Sequence, residues 1–349
     1  MKEIRKIDLL LVFVPLTLLL NYLSFDSNLI FLSSILAIIP LAAKMGEATE
    51  ELAKSYGGHI GGLINATFGN ATELIIALLA INKGLIDLVK ASLTGSIIGN
   101  ILFVFGMSIF VGGLKFKEQK LSTHLAGMNS TMLLIAFMSI MIPSLFLFVP
   151  GQNRSSEILL STAVSILLIS VYGLSMLFSL KTHRDLFVFE DSHEKPKWSK
   201  KYAIGVLLVA TAVLGIVSEV FVSQVEKFAQ NFGLTELFIG AIIVAVIGNA
   251  AEHISAITFA LNNKLDLSLS TTVGSSLQIA MFVAPVTVLA GLFMGQPMDL
   301  VFTPFEIIAV FASVLIVNEI ASDGRCNWFE GAQLIIMYLI IAVLFYFVR

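Results

Sequence analysis

Cysteine and charge are the two properties in which this sequence is poorest. A single cysteine, Cys326, excludes an internal disulfide and a cysteine-based metal site. Charged residues make up 13% of the chain, whereas a soluble domain carries roughly 25%. The net charge of -3 is too small to indicate a nucleic-acid partner. The chain also lacks a nucleophile motif and a glycine-rich phosphate loop, so nothing in it indicates an enzyme.

The chain is instead rich in long apolar stretches. Hydrophobic residues account for 57% of the chain, and the mean hydropathy is +0.93. The apolar runs recur along the whole chain at lengths of about 20 residues, enough for a helix to cross the hydrocarbon core. A water-soluble fold of this composition would expose too much apolar surface. The sequence therefore predicts an all-α polytopic membrane protein in the lipid bilayer, with about 11 transmembrane helices.

The basic residues predict the orientation of these helices. With the N-terminus inside the cell, 16 of the 21 Lys and Arg residues fall on the cytoplasmic side and the other 5 outside. Because cytoplasmic loops carry an excess of Lys and Arg, the N-terminus is predicted to be cytoplasmic and the C-terminus outside. The second helix is predicted to end near residue 45 and the seventh near residue 223, where polar residues begin. The first apolar run has no cleavage site after it, which favours a retained helix and a prokaryotic plasma membrane.

A five-residue motif occurs twice and defines an internal repeat. Residues 69–73, Gly-Asn-Ala-Thr-Glu, reappear at 248–252 as Gly-Asn-Ala-Ala-Glu, an offset of 179 positions. The same offset carries the Gly-Ser pair at 95–96 onto the Gly-Ser pair at 274–275. Two motifs that share one offset indicate a repeat. Because five crossings separate the two copies, the repeat is predicted to be inverted in the membrane, as in many secondary transporters.

The predicted organisation follows from this repeat. One extra N-terminal helix precedes two inverted five-helix repeats, and a polar linker joins the repeats. We predict the extra helix at residues 1–24, the first repeat at 25–182, a cytoplasmic linker at 183–199 and the second repeat at 200–349.

Each copy of the motif ends in a glutamate that lies well inside an apolar span. A carboxylate at membrane depth costs at least ~2.5 kcal/mol, so Glu73 and Glu252 are expected to face an ion, a partner or water. Equivalent positions of an inverted repeat meet near the bilayer midplane, where two carboxylates form a divalent-cation site or a shared-proton site. Asn70 and Asn249, three residues earlier, add amide oxygens, and Thr67 is predicted to lie on the same helix face.

The helices that follow the motif add neutral oxygens. Ser96 and Ser275 are related by the repeat offset, and Gln278 follows Ser275. A serine in a membrane helix usually bonds its own backbone, which is the competing interpretation. Oxygen ligands without thiolates suit a hard cation, and Ca²⁺ accepts six to eight of them in flexible geometry. Ca²⁺ is therefore expected as a transported substrate, with Mn²⁺ as the alternative, and no organic cofactor is implied.

Protons are expected to compete with the cation. Two carboxylates held together cannot both be ionised without a cation, so protons can replace the metal at the same atoms. His253 is a candidate third proton-binding group, although a lone histidine is more often a hydrogen-bonded structural residue. Glu47 and Glu226 are also 179 positions apart, and they are candidates for cation vestibules on opposite faces of the membrane.

These motifs closely resemble those of the calcium/proton antiporter (CAX) family of the calcium/cation antiporter superfamily. The resemblance rests on residues 61–75, Gly-Gly-Leu-Ile-Asn-Ala-Thr-Phe-Gly-Asn-Ala-Thr-Glu-Leu-Ile, and on residues 248–253, Gly-Asn-Ala-Ala-Glu-His. It implies an alternating-access exchanger whose two glutamates bind Ca²⁺ and H⁺ in turn. The other positions that it associates with the cation site are Asn70, Asn249, Ser96, Ser275 and Gln278.

Other mechanisms use similar residues. The related sodium/calcium exchangers carry a Gly-Thr-Ser-x-Pro-Glu type motif and an additional acidic residue after the second-repeat serine, whereas this chain has Gln278 and Ile279 there. A cation channel could use the glutamates as a selectivity ring, but inverted repeats fit alternating access better. Ca²⁺/H⁺ antiport is therefore the favoured interpretation, with a Na⁺-coupled Ca²⁺ exchanger as the nearest alternative. Formation of a homo-oligomer is left open.

Overall fold

The computed structural model describes residues 6–151, 153–182 and 195–348, and they form a bundle of helices. Residues 1–5 of the predicted extra helix and 183–194 of the predicted linker lie outside the described residues. The elements of the first half are a 3₁₀ turn (Lys6–Val12), α1 (Phe13–Tyr22), α2 (Ser27–Tyr56), α3 (Gly58–Phe68), α4 (Ala71–Asn82), α5 (Ile86–Ile98), a π-helical turn (Gly99–Val104), α6 (Phe105–Phe116), β1 (Glu118–Lys120), α7 (Thr123–Leu145), a 3₁₀ turn (Phe146–Phe148), α8 (Arg154–Leu177) and a π-helical turn (Phe178–Thr182).

The second half again consists mainly of helices. Its elements are α9 (Lys200–Phe232), α10 (Glu236–Phe238), a π-helical turn (Ile239–Val244), α11 (Ala245–Gly248), α12 (Ala250–Leu261), α13 (Leu265–Gln278), a π-helical turn (Ile279–Val283), α14 (Ala284–Phe293), α15 (Pro304–Ser322), β2 (Arg325–Asn327) and α16 (Trp328–Phe347). The two short strands pair antiparallel, with Gln119 opposite Cys326.

In the described part of the chain, eight helices are long and apolar enough to cross a membrane. They are Ser27–Tyr56, Ile86–Phe116, Thr131–Phe148, Arg154–Thr182, Lys200–Phe232, Leu265–Phe293, Pro304–Ser322 and Trp328–Phe347. The pair Glu236–Gly248 and Ala250–Leu261, bent by 62°, makes a ninth if it is one span, and Ile7–Tyr22 and Ala71–Asn82 are shorter apolar helices. The all-α membrane architecture is confirmed, while eleven crossings stay a prediction.

Local sequence explains where helices begin. At the start of α2, the Asp26 carboxylate accepts hydrogen bonds from the backbone N–H groups of Asn28 and Leu29, at 3.0 and 3.1 Å. At the start of α15, Thr303 and Glu306 form a reciprocal capping box. Such caps satisfy N–H groups that have no partner inside the helix. Glu306, although buried, is therefore a structural acid.

Two helices are longer than the sequence predicted. α2 continues to Tyr56 instead of ending near residue 45, and α9 continues to Phe232 instead of ending near residue 223. Polar residues at the end of α2 support the helix by pairing along it, as Lys54 does with Glu50 at 2.7 Å. The change from apolar to polar residues therefore does not mark the end of these helices.

The secondary structure repeats at the same offset as the sequence. Each motif helix breaks at the motif asparagine, and the next helices start at Ala71 and at Ala250, 179 positions apart. The helices that follow start at Ile86 and Leu265, again 179 positions apart, and both run into a π-helical turn. The exact boundaries of the two repeats stay predictions.

Equivalent helices of the two halves, α2 and α9, pack against each other. Phe31 of α2 stacks on Phe221 and Phe228 of α9, with ring centroids 4.9 and 3.9 Å apart. The motif helices cross over: α4 packs on α9, and α12 packs on α2. This exchange brings each glutamate-bearing helix against the opposite half.

Candidate cation site

Two helix breaks frame the site. The backbone leaves helical geometry at Asn70, with φ and ψ of -100° and 30°, and at Asn249, with -92° and 16°. A new helix begins after each asparagine, so Glu73 lies in the first turn of α4 and Glu252 in the first turn of α12. The positive end of a helix dipole favours a carboxylate in its first turn. Both helices are thus interrupted one residue after the motif glycine.

Glu73 is buried against the break of the opposite half. Only 8% of it is exposed, and neither carboxylate oxygen has a hydrogen-bond partner among the described residues. A Cβ atom placed on Gly248 would lie 3.0 Å from Glu73 Cγ and 3.1 Å from Oε1, so glycine leaves the room that this carboxylate occupies. A buried carboxylate without a partner is costly unless it meets a cation or takes up a proton.

Glu252 faces a cavity that reaches the site from one side. The cavity has a volume of about 450 Å³ and extends from α2 to the two motif helices and α13. Among its lining residues are Glu252, Asn70, Ser275, Gln278, Gly274, Thr271, Glu47, Glu50 and Ile7. The outer lining belongs to the C-terminal half of α2 and to the N-terminal segment, which is the side that the distribution of Lys and Arg predicts to be cytoplasmic.

The two predicted vestibule glutamates lie in different surroundings. Glu47 lines the cavity and pairs with Lys44 at 3.1 Å, and Lys44 also pairs with Asp8 at 3.0 Å. Glu226 is exposed on α9 and is not among the residues that line this cavity. Only the first of the two glutamates therefore borders the open path in this conformation.

The internal repeat relates the interface that borders the cavity to a second interface, between α5 and the segment before Asn249. This second interface is closed by direct packing. Gly95 of α5 lies against Ala241, and a Cβ atom on Gly95 would overlap the Ala241 backbone. Gly240 packs in the same way on α5, where a Cβ atom would lie 2.6 Å from the carbonyl oxygen of Leu88. In contrast, Gly274, the repeat equivalent of Gly95, has no such neighbour within 4 Å. The two halves share a sequence pattern, yet one interface is packed and the other is open.

Hydrogen bonds join the motif asparagine of each half to the serine of the other. Asn249 Nδ2 donates to Ser96 Oγ at 2.9 Å, and Ser275 Oγ donates to Asn70 Oδ1 at 2.9 Å. The repeat offset relates these two bonds to each other. Gln278 joins the network because its Oε1 accepts a hydrogen bond from Asn70 Nδ2 at 2.7 Å. The structure thus brings the five neutral residues of the predicted site together.

Asn100 is a central residue that was not among the predicted cation ligands. Its Nδ2 donates to Ser275 Oγ at 3.0 Å and to Asn249 Oδ1 at 3.3 Å, and its Oδ1 lies 3.1 Å from His253 Nε2. The signal for it was its position four residues after Ser96, because residues at this spacing share a helix face. His253 is buried and in hydrogen-bond contact with Asn100.

Thr67 does not join the site. Its side chain is exposed, and its hydroxyl donates to the backbone carbonyl of Leu63 at 2.8 Å. The prediction that Thr67 and Glu73 share a helix face was wrong because it assumed a continuous helix, and the break at Asn70 separates them. Among the described residues, no group of three or more His, Cys, Asp or Glu side chains could hold a metal ion.

A buried ion cluster lies at the start of α5, where that helix packs on the second half. Asp299 is fully buried and pairs with Arg154 and, at 2.5 Å, with Lys90. Lys90 Nζ also donates to the carbonyl oxygen of Val301 at 2.7 Å. The cluster ties α5 and α8 to the loop before α15. No sequence motif predicted it.

Known proteins resemble this chain over nearly its whole length. The family model described as sodium/calcium exchanger protein matches residues 27–181 and 202–347. A Ca²⁺/H⁺ antiporter of Aphanothece halophytica is 48% identical over 97% of this chain and 95% of that protein. The Ca²⁺/H⁺ antiporter ChaA of Bacillus subtilis is 46% identical over 95% of this chain and 96% of that protein. The solved structure of native YfkE is 42% identical, with a TM-score of 0.87 over 98% of this chain and 100% of that chain.

Proposed function

The chain belongs to the sodium/calcium exchanger protein family, among its calcium/proton antiporters, and we propose that it exchanges Ca²⁺ for H⁺ across a membrane by alternating access. The observation that carries the proposal is the pair of broken helices, because a new helix starts after each motif asparagine and holds Glu73 or Glu252 in its first turn. The Ca²⁺/H⁺ antiporters that are 46–48% identical over nearly the whole chain support the choice of ions. The proposed reaction is transport, without a covalent step.

In this proposal Glu73 and Glu252 supply the charged ligands for Ca²⁺. Neutral oxygens of Asn70, Asn249, Ser96, Ser275 and Gln278 complete a set of oxygen donors, the type of ligand that Ca²⁺ prefers. Asn249 Oδ1 accepts a hydrogen bond from Asn100, and it lies 3.2 Å from Ser275 Oγ, whose single hydrogen is donated to Asn70. Because a carbonyl oxygen has two lone pairs, Asn249 keeps one of them for the cation while it accepts the hydrogen bond from Asn100.

Proton coupling follows from the same two carboxylates. Without a cation the two neighbouring carboxylates repel each other, and protons relieve this repulsion. With Ca²⁺ bound, both carboxylates are ionised, so entry of the cation expels protons. Because the two substrates use the same atoms, each displaces the other, and no separate proton channel is required.

Alternating access is supported by the difference between the two halves. In this conformation the cavity reaches Glu252 from the side of Glu47, while α5 and the segment before Asn249 are packed together. In the opposite conformation, α3 would pack on α13, and a cavity would open along α5. Glu226, the repeat equivalent of Glu47, would then border that second opening.

The direction of transport follows from the ion gradients across the membrane. With a cytoplasmic N-terminus in a prokaryotic plasma membrane, the cavity opens to the cytoplasm, the C-terminus lies outside, and the protein exports Ca²⁺ as H⁺ enters. An inward proton gradient supplies the driving force.

The test is Ca²⁺ uptake into inside-out vesicles or proteoliposomes under an imposed pH gradient. Glu73→Gln and Glu252→Gln keep the size of each side chain and remove its charge, so each is expected to reduce uptake to the level of empty vesicles. Glu319→Gln, on the exposed face of α15, is the matched control and should transport like the wild type. Uptake that follows a sodium gradient instead would identify a Na⁺-coupled exchanger, and passive flux without saturation would identify a channel.

A further inference from the structure

A backbone carbonyl determines the orientation of the amide groups at the site. Asn249 Nδ2 lies 2.9 Å from the carbonyl oxygen of Ala245. A carbonyl oxygen can only accept a hydrogen bond, so the nitrogen of the Asn249 amide must face it. The oxygen of the same amide must therefore face Asn100.

The orientation of Asn249 then determines that of Asn100 and the tautomer of His253. Asn249 Oδ1 and Asn100 Nδ2 are 3.3 Å apart, and a reversed Asn100 amide would set two acceptor oxygens against each other. Asn100 Oδ1 therefore faces His253 Nε2, at 3.1 Å. Because an amide oxygen cannot donate, the histidine must carry a hydrogen on Nε2.

Beyond Asn100, each residue of the network donates a hydrogen bond to the next residue. Asn100 donates to Ser275 at 3.0 Å, Ser275 donates to Asn70 at 2.9 Å, and Asn70 donates to Gln278 at 2.7 Å. The buried His253 thus stands at the donating end of a chain that ends at the cavity-lining Gln278. In such a chain, the orientation of the first member constrains that of the others.

His253 and Asn100 depart from the repeat together. The offset of 179 positions relates His253 to Leu74, and Asn100 to Ile279. Two polar residues therefore occupy one pair of positions, and two apolar residues occupy the equivalent pair. This coincidence indicates that the histidine and the asparagine act as one unit.

From this geometry we propose that His253 is a positioning residue for the cation site. Its Nε2–H donor holds the Asn100 amide in the orientation that Asn249 requires, and through Asn100 it positions the side chains of Ser275 and Asn70 for binding of the transported divalent cation. This role rests on the proposed function. It assigns the histidine a fixed hydrogen-bond donor in place of the proton-carrying role predicted from sequence, which becomes an outcome of the test.

Two substitutions separate the donor from the bulk of the side chain. His253→Gln keeps an N–H donor at a reach similar to that of Nε2, and His253→Leu introduces the apolar residue of the equivalent position. In proteoliposomes, initial rates of Ca²⁺ uptake are measured against Ca²⁺ concentration and against pH. We expect His253→Gln to stay within about threefold of the wild-type KM with an unchanged pH profile, and His253→Leu to raise KM roughly tenfold. A single elution peak of each purified variant serves as the check of folding.

A double variant tests whether the histidine acts through Asn100. Asn100→Ile is expected to raise KM at least as much as His253→Leu does. Because the histidine has no further target in this scheme, the double variant should be no worse than Asn100→Ile alone. Effects that multiply would overturn the proposed unit.

Other outcomes overturn the positioning role directly. If His253→Gln loses transport or shifts the pH profile as strongly as His253→Leu, the histidine carries a proton. If both variants keep the wild-type KM, the hydrogen bonds that start at His253 do not orient the cation site. Calcium titration of the detergent-solubilised wild type and variants provides the second measurement. If the wild type binds Ca²⁺ but shows no proton-driven uptake, the proposed exchange is refuted. The Kd values of the two histidine variants for Ca²⁺ still decide the positioning role in that case. A wild type that binds no Ca²⁺ refutes both.

Discussion

A single methyl group on Gly95 is expected to drive the protein out of the conformation in which the cavity opens beside Glu47. A Cβ atom at this position would overlap the backbone of Ala241, which cannot move aside as the end of a flexible side chain can. The same change at Gly274 meets no such atom within 4 Å. Gly95→Ala and Gly274→Ala therefore form a matched pair, identical in chemistry and equivalent in the repeat.

The size of the effect follows from the cost of overpacking. An extra methylene group in a packed interior costs about 1–3 kcal/mol, which changes the ratio of two conformations by a factor of about 5 to 150. This cost acts on the conformation in which α5 is packed against the segment before Asn249. Gly95→Ala should therefore increase the population of the opposite conformation, whereas Gly274→Ala should leave this conformation as it is.

Reporter cysteines measure the change in access. Thr271→Cys lines the cavity, and Ser92→Cys occupies the equivalent position on the closed side. A water-soluble, membrane-impermeant thiol reagent is applied, and the rate of modification is recorded with and without each glycine substitution. Burial, with a contribution from nearby Glu330 and Asp323, raises the pKa of the native Cys326 to about 12. The native thiol is thus almost wholly protonated and reacts slowly, since the thiolate is the nucleophile.

Gly95→Ala is expected to slow modification of Thr271→Cys and to speed that of Ser92→Cys, while Gly274→Ala changes neither rate. If Gly95→Ala leaves both rates unaltered in a protein that still elutes as a single species, the packed interface does not hold the conformation. If the two glycine substitutions change access in the same direction, the assignment of one open and one closed side is wrong.

Two further predictions concern stability and pH. Asp299→Ala leaves Lys90 buried without its carboxylate and should lower the free energy of unfolding by about 3–5 kcal/mol. Glu118→Ala, which removes an exposed pair with Arg325, should cost less than about 1 kcal/mol, and thermal unfolding in detergent compares the two; equal losses would contradict a structural role of the buried cluster. The apparent Ca²⁺ affinity of the wild type should fall as the pH falls, because protons occupy the carboxylates that bind the cation. Calcium titrations at pH values on both sides of neutrality measure this affinity. An affinity independent of pH would contradict competition between protons and Ca²⁺ at Glu73 and Glu252.

Much of the frame of the site could be predicted from the chain alone. The spacing of 179 positions between the two motifs is a property of the sequence, and the helix breaks and helix starts follow it to the residue at Ala71 and Ala250. A buried glutamate in an apolar span needs an ion, a proton or a partner whatever the packing around it. The recurring apolar runs likewise predicted a helical membrane protein, because each run is long enough for a helix to cross the hydrocarbon core.

The tertiary structure alone decided which side of the site is open and which residues connect it. Two halves with the same pattern predict two equivalent interfaces, and the pattern cannot tell that Gly95 is packed while Gly274 borders a cavity. Asn100 and His253 are 153 positions apart, and their repeat equivalents are apolar, so the repeat pattern does not predict that the two residues meet. Local periodicity records which face of a helix is buried, whereas the partner across that face is determined by how distant segments pack.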